Sequence, residues 1–272
     1  MPELPEVETT RRGIEPYVKQ QTLTQLVIRQ PQLRWPISPE LSQLQGQVIT
    51  QLTRRGKYIV LHSPIGAALI HLGMSGSLRV VDAEQALRKH DHFDLVFSNG
   101  YRLRYHDPRR FGVFLWAGTD PLQHKLLCKL GVEPLSEAFT ADYLFAKSRG
   151  RLVSIKEFIM NANIVVGVGN IYASESLFLA KIHPTQTAHS LDLPAYERLV
   201  QAIKQILSYA IERGGTTLRD FVNATGDTGY FQLELNVYGR KAEACKICQT
   251  PIQQMTQGQR STWYCPCCQA LV

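Results

Sequence analysis

Short stretches of apolar residues, separated by turn signals, fill the chain as far as Trp116. Val48–Leu52, Lys57–His62, Ala67–Leu72, Ser77–Val81, His92–Phe97, Tyr101–Tyr105 and Phe111–Trp116 each predict a strand. Gly and Pro punctuate them, as at Ser63–Gly66 and Ser98–Gly100, and Asn99-Gly100 is a hairpin signal. Many short strands with close turns imply an antiparallel sandwich or barrel, not a parallel sheet. A helix over Pro5–Tyr17 precedes them.

The period changes after Trp116. Leu122–Leu130, Ala141–Ser148, Leu152–Met160, Ile171–Lys181 and Pro194–Arg213 predict helices. In the last, Leu199, Ile203, Ile206, Leu207, Ala210 and Ile211 form one apolar stripe, with Asp192 and Pro194 at its start and Gly214-Gly215 at its end. That stripe is core. Leu130–Leu135 reads as a joint, and Cys128, in a helical pattern, reads as a small buried hydrophobe. The expected fold class is α+β and multidomain: a β domain over 1–131, a helical domain over 132–237 and a small unit over 238–272.

The small unit carries Cys245 and Cys248, then, after sixteen residues, Cys265, Cys267 and Cys268. Two Cys-x-x-Cys pairs at this separation signal a tetrahedral structural zinc held by Cys245, Cys248, Cys265 and Cys268. Disulfides are the weaker alternative in a reducing compartment, and Cys267 is a surplus thiol that can compete as a ligand. Four thiolates leave the metal no open position, so it holds a hairpin and does no chemistry. Gln257–Thr262 occupies that hairpin, with Arg260 either solvated or offering its fork of donors to a phosphate.

Charge sharpens this picture. The 272 residues carry a formal net charge of +7, with basic clusters at Arg54–Lys57, Arg109-Arg110 and Lys147–Arg151. A polyanion partner fits the balance. No apolar run approaches the ~20 residues of a membrane span. The start lacks an apolar signal segment, so a cytoplasmic protein is expected. Val165–Tyr172 holds Gly167-Val168-Gly169-Asn170, where Asn170 could cap a helix whose first N–H groups face an anion. A backbone clamp on nucleic acid and simple tight helix packing compete as readings of that turn.

The sharpest chemistry lies at the front, in Met1-Pro2-Glu3-Leu4-Pro5-Glu6. Removal of Met1 would leave Pro2 with a free secondary amine. An α-amino group has a roughly two hundredfold larger neutral fraction at pH 7 than an unperturbed Lys. A secondary amine that attacks a sugar aldehyde forms an iminium, an electron sink for elimination, and Glu3 is a proton carrier beside it. The alternative is a helix start, with Glu3 and Glu6 at its positive pole.

Taken in order, these pieces resemble the formamidopyrimidine-DNA glycosylases. The resemblance spans nearly the whole chain and rests on Pro2–Thr9, Arg55–Tyr58, His71–Gly76, Lys89–His92, Asp107–Gly112, Gly167–Ala173 and Glu234–Gly239. It implies an N-terminal antiparallel β-sandwich with an N-terminal helix, a helix-two-turns-helix domain and a C-terminal zinc finger hairpin. It further implies a bifunctional glycosylase and AP lyase that excises oxidised purines, such as 8-oxoguanine and formamidopyrimidines, from damaged double-stranded DNA in base excision repair. Pro2 would attack C1′, Glu3 would protonate the ring oxygen, and β,δ-elimination would cut the strand. Lys57 would act near base and phosphate, and Arg260 would bind the damaged nucleotide's phosphate. Met74, Arg109 and Phe111 would fill the gap left by a flipped base. His90, Arg109, Arg151, Lys156 and Asn170 would grip phosphates. Gly214–Phe231 would supply a loop over the base, and a monomer is expected.

The chain departs from the family's pattern at Glu157 and Asn161, where Pro and Asp are common; altered helix capping and unchanged chemistry are expected. Two other readings stand beside this one. The endonuclease VIII type uses the same amine on oxidised pyrimidines, but Leu4 and Phe111 point to the purine branch. The other is a non-catalytic DNA-binding zinc protein, against which only Pro2, Glu3 and Lys57 speak.

Overall fold

The computed structural model describes residues 2–214 and 235–271. These form two compact units, one of residues 2–129 with 213–214, the other of 130–212 with 235–271. The expected loop over Gly214–Phe231 falls, beyond Gly214, outside the described residues.

The first unit opens on helix α1, Leu4–Val18. Its start is a reciprocal capping box: the Glu6 carboxylate accepts from the Glu3 backbone N–H at 2.8 Å, and the Glu3 carboxylate faces the N–H of Glu6. Eight strands follow: β1 Leu23–Ile28, β2 Gln51–Arg55, β3 Tyr58–Ser63, β4 Gly66–His71, β5 Ser77–Val81, β6 Asp91–Phe97, β7 Arg102–His106 and β8 Val113–Gly118. They make two four-stranded sheets, β1-β6-β7-β5 and β2-β3-β4-β8, with every pairing antiparallel. One core cluster joins both sheets to α1; Ile14, Leu52, Ile59, Ile70, Leu78, Phe93, Leu103 and Phe114 belong to it. The sandwich is therefore as expected. The Asn99-Gly100 turn closes β6 onto β7, with Gly100 at φ 88 and Asn99 Oδ1 accepting from Tyr101 N.

The second unit holds α2 Ala141–Ser148, α3 Ile155–Met160, α4 Asn170–Leu179 and α5 Leu193–Glu212, then the hairpin β9 Gln253–Gln257 and β10 Arg260–Tyr264. Thr140 and Ser154 cap α2 and α3 with their hydroxyls. The stripe on α5 is buried, as the pattern predicts. The finger docks on α4: Phe178 packs with Val237, Ile252, Cys245 and Cys265. Gln269 Nε2 also donates to the carbonyl of Ile182 at 2.9 Å.

Four expectations are corrected. Strand β1 is absent from the hydrophobic pattern, because its burial does not alternate and it lies at a sheet edge. The helix over Leu122–Leu130 is a 3-10 turn at Pro121–Gln123 followed by further turns. Only Leu127 is buried among 121–130, so no apolar face is packed to hold a helix there. Cys128 is accordingly exposed. The helix expected over Leu152–Met160 begins at Ile155, where Ser154 caps it.

Candidate functional site

In the first unit the candidate residues sit on element ends and turns. Pro2 and Glu3 are buried directly before α1, at the positive end of the helix. Lys57 lies in the two-residue turn between β2 and β3, half-buried. A chain of contacts fixes that turn relative to α1. The Glu8 carboxylate of α1 takes Arg54 at 3.1 Å, and Arg54 Nη1 donates to the Gly56 carbonyl at 2.9 Å. Burial alone would raise the Glu8 carboxyl, but Arg11, Arg12 and Arg54 outweigh it and hold it below its ordinary 4.5. Arg54, one of the basic cluster, is thus occupied by the fold.

Met74 projects from the turn after β4 and is 38% exposed; Phe111, before β8, is 40% exposed. Arg109 is exposed and lies over the Phe111 ring at 4.8 Å from its centroid. Apolar side chains left exposed on neighbouring turns are suited to entering a base stack. His90 is half-buried, at a φ of 75 just before β6. His71 enters the sequence reading only as part of a string. Its Nδ1 accepts from Gly73 N at 3.0 Å, which anchors the Met74 turn. Burial, then Lys57 and Arg34, push His71 down to about 4, so its ring is neutral at physiological pH.

In the second unit Arg260 begins β10 at the hairpin tip and is exposed; the turn residues Gly258 and Gln259 both have positive φ. Arg260 borders a cleft of about 220 Å³ shared with Lys156, Glu157, Met160, Asn161, Gln257 and Gly258. Arg151 is exposed ahead of α3. Lys156 departs from expectation. It is 2% exposed, and its Nζ donates to Asn170 Oδ1 and to Thr262 Oγ1, both at 2.6 Å. Asn170 does not cap α4. It is the first helical residue after Gly169, and its Nδ2 donates to the Ser261 carbonyl at 2.9 Å. Lys156 and Asn170 therefore tie α3 and α4 to the strand that starts with Arg260. Glu157 shares the α3 cap with Ser154, and Asn161 stands at the C-terminal cap of that helix.

The four cysteines converge. Ligand atoms of Cys245, Cys248, Cys265 and Cys268 all lie within 4.8 Å of one another. The Sγ separations are 3.9 Å for Cys245–Cys268 and 3.4 Å for Cys248–Cys265. A tetrahedron of Zn–S bonds near 2.3 Å requires about 3.8 Å between sulfurs, so the set fits one structural zinc. Backbone N–H groups of Ile247 and Cys268 point at Cys245 Sγ and Cys265 Sγ, both at 3.4 Å, the outer-shell donors such a site needs. Cys267 is exposed and stands outside the cluster.

Sequence comparison agrees with this architecture. The profile of the formamidopyrimidine-DNA glycosylase N-terminal domain matches residues 1–114, that of the formamidopyrimidine-DNA glycosylase H2TH domain residues 130–222, and that of a zinc finger found in FPG and IleRS residues 242–271. The formamidopyrimidine-DNA glycosylase of Photobacterium profundum is 53% identical over 269 residues, covering 99% of this chain and 100% of the relative. The crystal structure of the MutM (Fpg) protein from Thermus thermophilus is similar with a TM-score of 0.90 at 36% identity, over 100% of both chains. The complex between Lactococcus lactis Fpg and abasic-site DNA is similar with a TM-score of 0.91 at 34% identity, over 99% of this chain and 100% of that one. On this agreement of sequence, fold and four-thiolate site, the chain belongs to the formamidopyrimidine-DNA glycosylase family, DNA glycosylases with AP-lyase activity that act in base excision repair.

Proposed function

We propose that Pro2 is the nucleophile, acting on oxidised purines in damaged double-stranded DNA. The observation that carries this is the pairing of Pro2 with a buried Glu3 at the positive end of α1. The secondary amine attacks C1′ of the damaged nucleotide. The C1′–N9 bond breaks, and its electron pair leaves on the base, which takes up a proton. Glu3 delivers a proton to O4′, the sugar ring opens, and the C1′–N bond becomes an iminium. Loss of the C2′ proton into that sink expels the 3′ oxygen, and a second elimination expels the 5′ oxygen. Water then hydrolyses the iminium and frees the amine.

Lys57 supplies positive charge near base and phosphate, and Arg260 takes the nucleotide's phosphate through its guanidinium fork. His90, Arg109, Arg151 and Asn170 hold neighbouring phosphates, and Lys156 serves by orienting Asn170 and the β10 backbone. Met74, Arg109 and Phe111 form the wedge. Cys245, Cys248, Cys265 and Cys268 would hold a zinc ion, which would supply a cross-link beneath the hairpin. The three divisions, 1–131, 132–237 and 238–272, thus carry nucleophile, backbone clamp and phosphate hairpin. The protein works in the cytoplasm, on nucleoid DNA, as a monomer. The Lactococcus lactis relatives solved with Fapy-dG and abasic-site DNA support the choice of ligand.

Pro2→Gly tests the nucleophile. The variant should lose at least about tenfold in cleavage of abasic DNA while its affinity for a duplex with an uncleavable abasic analogue stays within about twofold, since a mispositioned primary amine replaces the pre-oriented ring. Unchanged cleavage would count against Pro2.

A further inference from the structure

Asp107 is buried to 0% exposure and has no role in the reaction as derived above. Its surroundings are unusual for an isolated carboxylate. Oδ1 accepts from Ser75 Oγ at 2.7 Å and from Arg109 N at 3.2 Å; Oδ2 accepts from Gly112 N at 2.9 Å and from Tyr105 OH at 3.0 Å. Its own backbone is also engaged: the carbonyl accepts from His92 Nε2 at 2.7 Å, and the N–H donates to the His90 carbonyl at 3.1 Å. Every one of these partners lies within two residues of His90, Met74, Arg109 or Phe111, apart from Tyr105. The Tyr105 phenol is pushed well above its ordinary 10.0, by burial first and then by Asp107, so it remains a donor.

The two turns are also in direct backbone contact. Gly73 has φ +71, and a Cβ there would lie 2.5 Å from Gly112 N; a Cβ on Gly112 would lie 1.6 Å from Tyr105 Oη. The Met74 turn therefore meets the Phe111 turn only because position 73 is glycine, and glycine at 112 leaves the room that the Tyr105 phenol fills. A buried carboxylate that accepts three donors from two facing turns, and a fourth from Tyr105 of β7, sets their relative position, because releasing either turn leaves unpaired polar atoms in a dry site.

We propose that Asp107 is the positioning residue of the wedge. Its carboxylate locks the Met74 turn to the Arg109–Phe111 turn, and its backbone adds His90, so that all four side chains are presented to DNA as one preset unit. This rests on the reading of Met74, Arg109 and Phe111 as the wedge. Asp107 touches no reacting atom, so its removal should slow the steps that need a base displaced and spare the chemistry of the amine.

Asp107→Asn makes the test sharp. Arg109 N and Gly112 N donate to different carboxylate oxygens, and neither backbone N–H can turn away. Whichever way the amide is placed, one of them faces an NH₂ group. Ser75→Ala is the milder variant, cutting only the tie to the Met74 turn. Two substrates separate positioning from folding. One is a duplex with 8-oxoguanine; the other is a single-stranded oligonucleotide with a preformed abasic site, which has no base to displace. In single-turnover assays on the zinc-loaded full chain, Ser75→Ala should slow excision from the duplex about tenfold, the scale of one buried hydrogen bond. Asp107→Asn should slow it roughly a hundredfold. With enzyme saturating the single strand, where weakened phosphate contacts of His90 and Arg109 no longer limit the rate, both should cleave it within about twofold of the parent rate. In a Met74→Ala background, Ser75→Ala should cost less than about twofold more, since the turn it holds has lost its wedge. Equal losses on both substrates, or none on the duplex, would overturn the role of Asp107. Met74→Ala and Phe111→Ala report separately on the wedge. If they leave duplex excision intact, the wedge reading falls and this proposal with it. If they slow it while Asp107→Asn and Ser75→Ala do not, the positioning role alone falls.

Discussion

Single residues divide sharply in how far the sequence exposed them. The four cysteines are legible because their chemistry is tied to spacing: thiolates at two short intervals fit one metal. Lys156 and Asn170 are not, because a basic or amide side chain in a basic protein looks the same whether it faces solvent or a buried hydroxyl. The structure turns Lys156 onto Asn170 and Thr262. This has a measurable consequence. Each phosphate neutralised steepens the fall of log affinity with log salt by ~0.9. Arg151→Ala should flatten that slope by about one, whereas Lys156→Ala should weaken binding with the slope nearly unchanged, as titrations between low and moderate salt would read. An equal change of slope in both would return Lys156 to the phosphates. For His71, a ring held down to about 4 and accepting at Nδ1 must carry its proton on Nε2. Nitrogen NMR should find that neutral tautomer at pH 6. The unfolded chain binds the extra proton between its ordinary 6.5 and about 4, so His71 stabilises the fold fully above that window and loses the contribution as pH falls through it.

At the scale of elements, strong local signals hold and weak ones mislead. Asn99-Gly100, the α5 stripe and the strands flanked by Gly or Pro are legible because turn chemistry and periodicity point the same way. The Leu122–Leu130 pattern has the helical period without a buried face, and β1 is an edge strand whose partner, β6, is distant in sequence. The joint between α1 and the β2–β3 turn is equally hidden, since nothing in the string shows that Glu8 meets Arg54. Glu8→Ala should destabilise the protein by about 1–3 kcal/mol in urea unfolding, because it strands partly buried guanidinium groups. The parent should lose this contribution as pH drops through and below 4.5, because the folded carboxyl titrates lower than the unfolded one. A variant as stable as the parent at pH 7 would show that Arg54 and the Gly56 turn stand without Glu8.

Across the whole molecule, the regions fold for different reasons. The sandwich is held by a large apolar core. The finger, with a core of a few residues, depends on its metal and on Phe178 of α4. Removing zinc with a chelator should therefore unfold the hairpin, displace Arg260 and reduce affinity for damaged duplex at least about tenfold, while circular dichroism retains the β-sandwich signal; undiminished affinity in zinc-free protein would argue against the hairpin's role. The central claim, that Pro2 forms the bond to the sugar, is tested most directly by borohydride trapping. Protein, a duplex with 8-oxoguanine and borohydride are combined, and the crosslinked peptide is sequenced by mass spectrometry. The mechanism predicts one covalent adduct, on the Pro2 nitrogen of chains lacking Met1, formed faster on this duplex than on one with an oxidised pyrimidine. An adduct on a lysine, or full activity from chains that retain Met1, would contradict it.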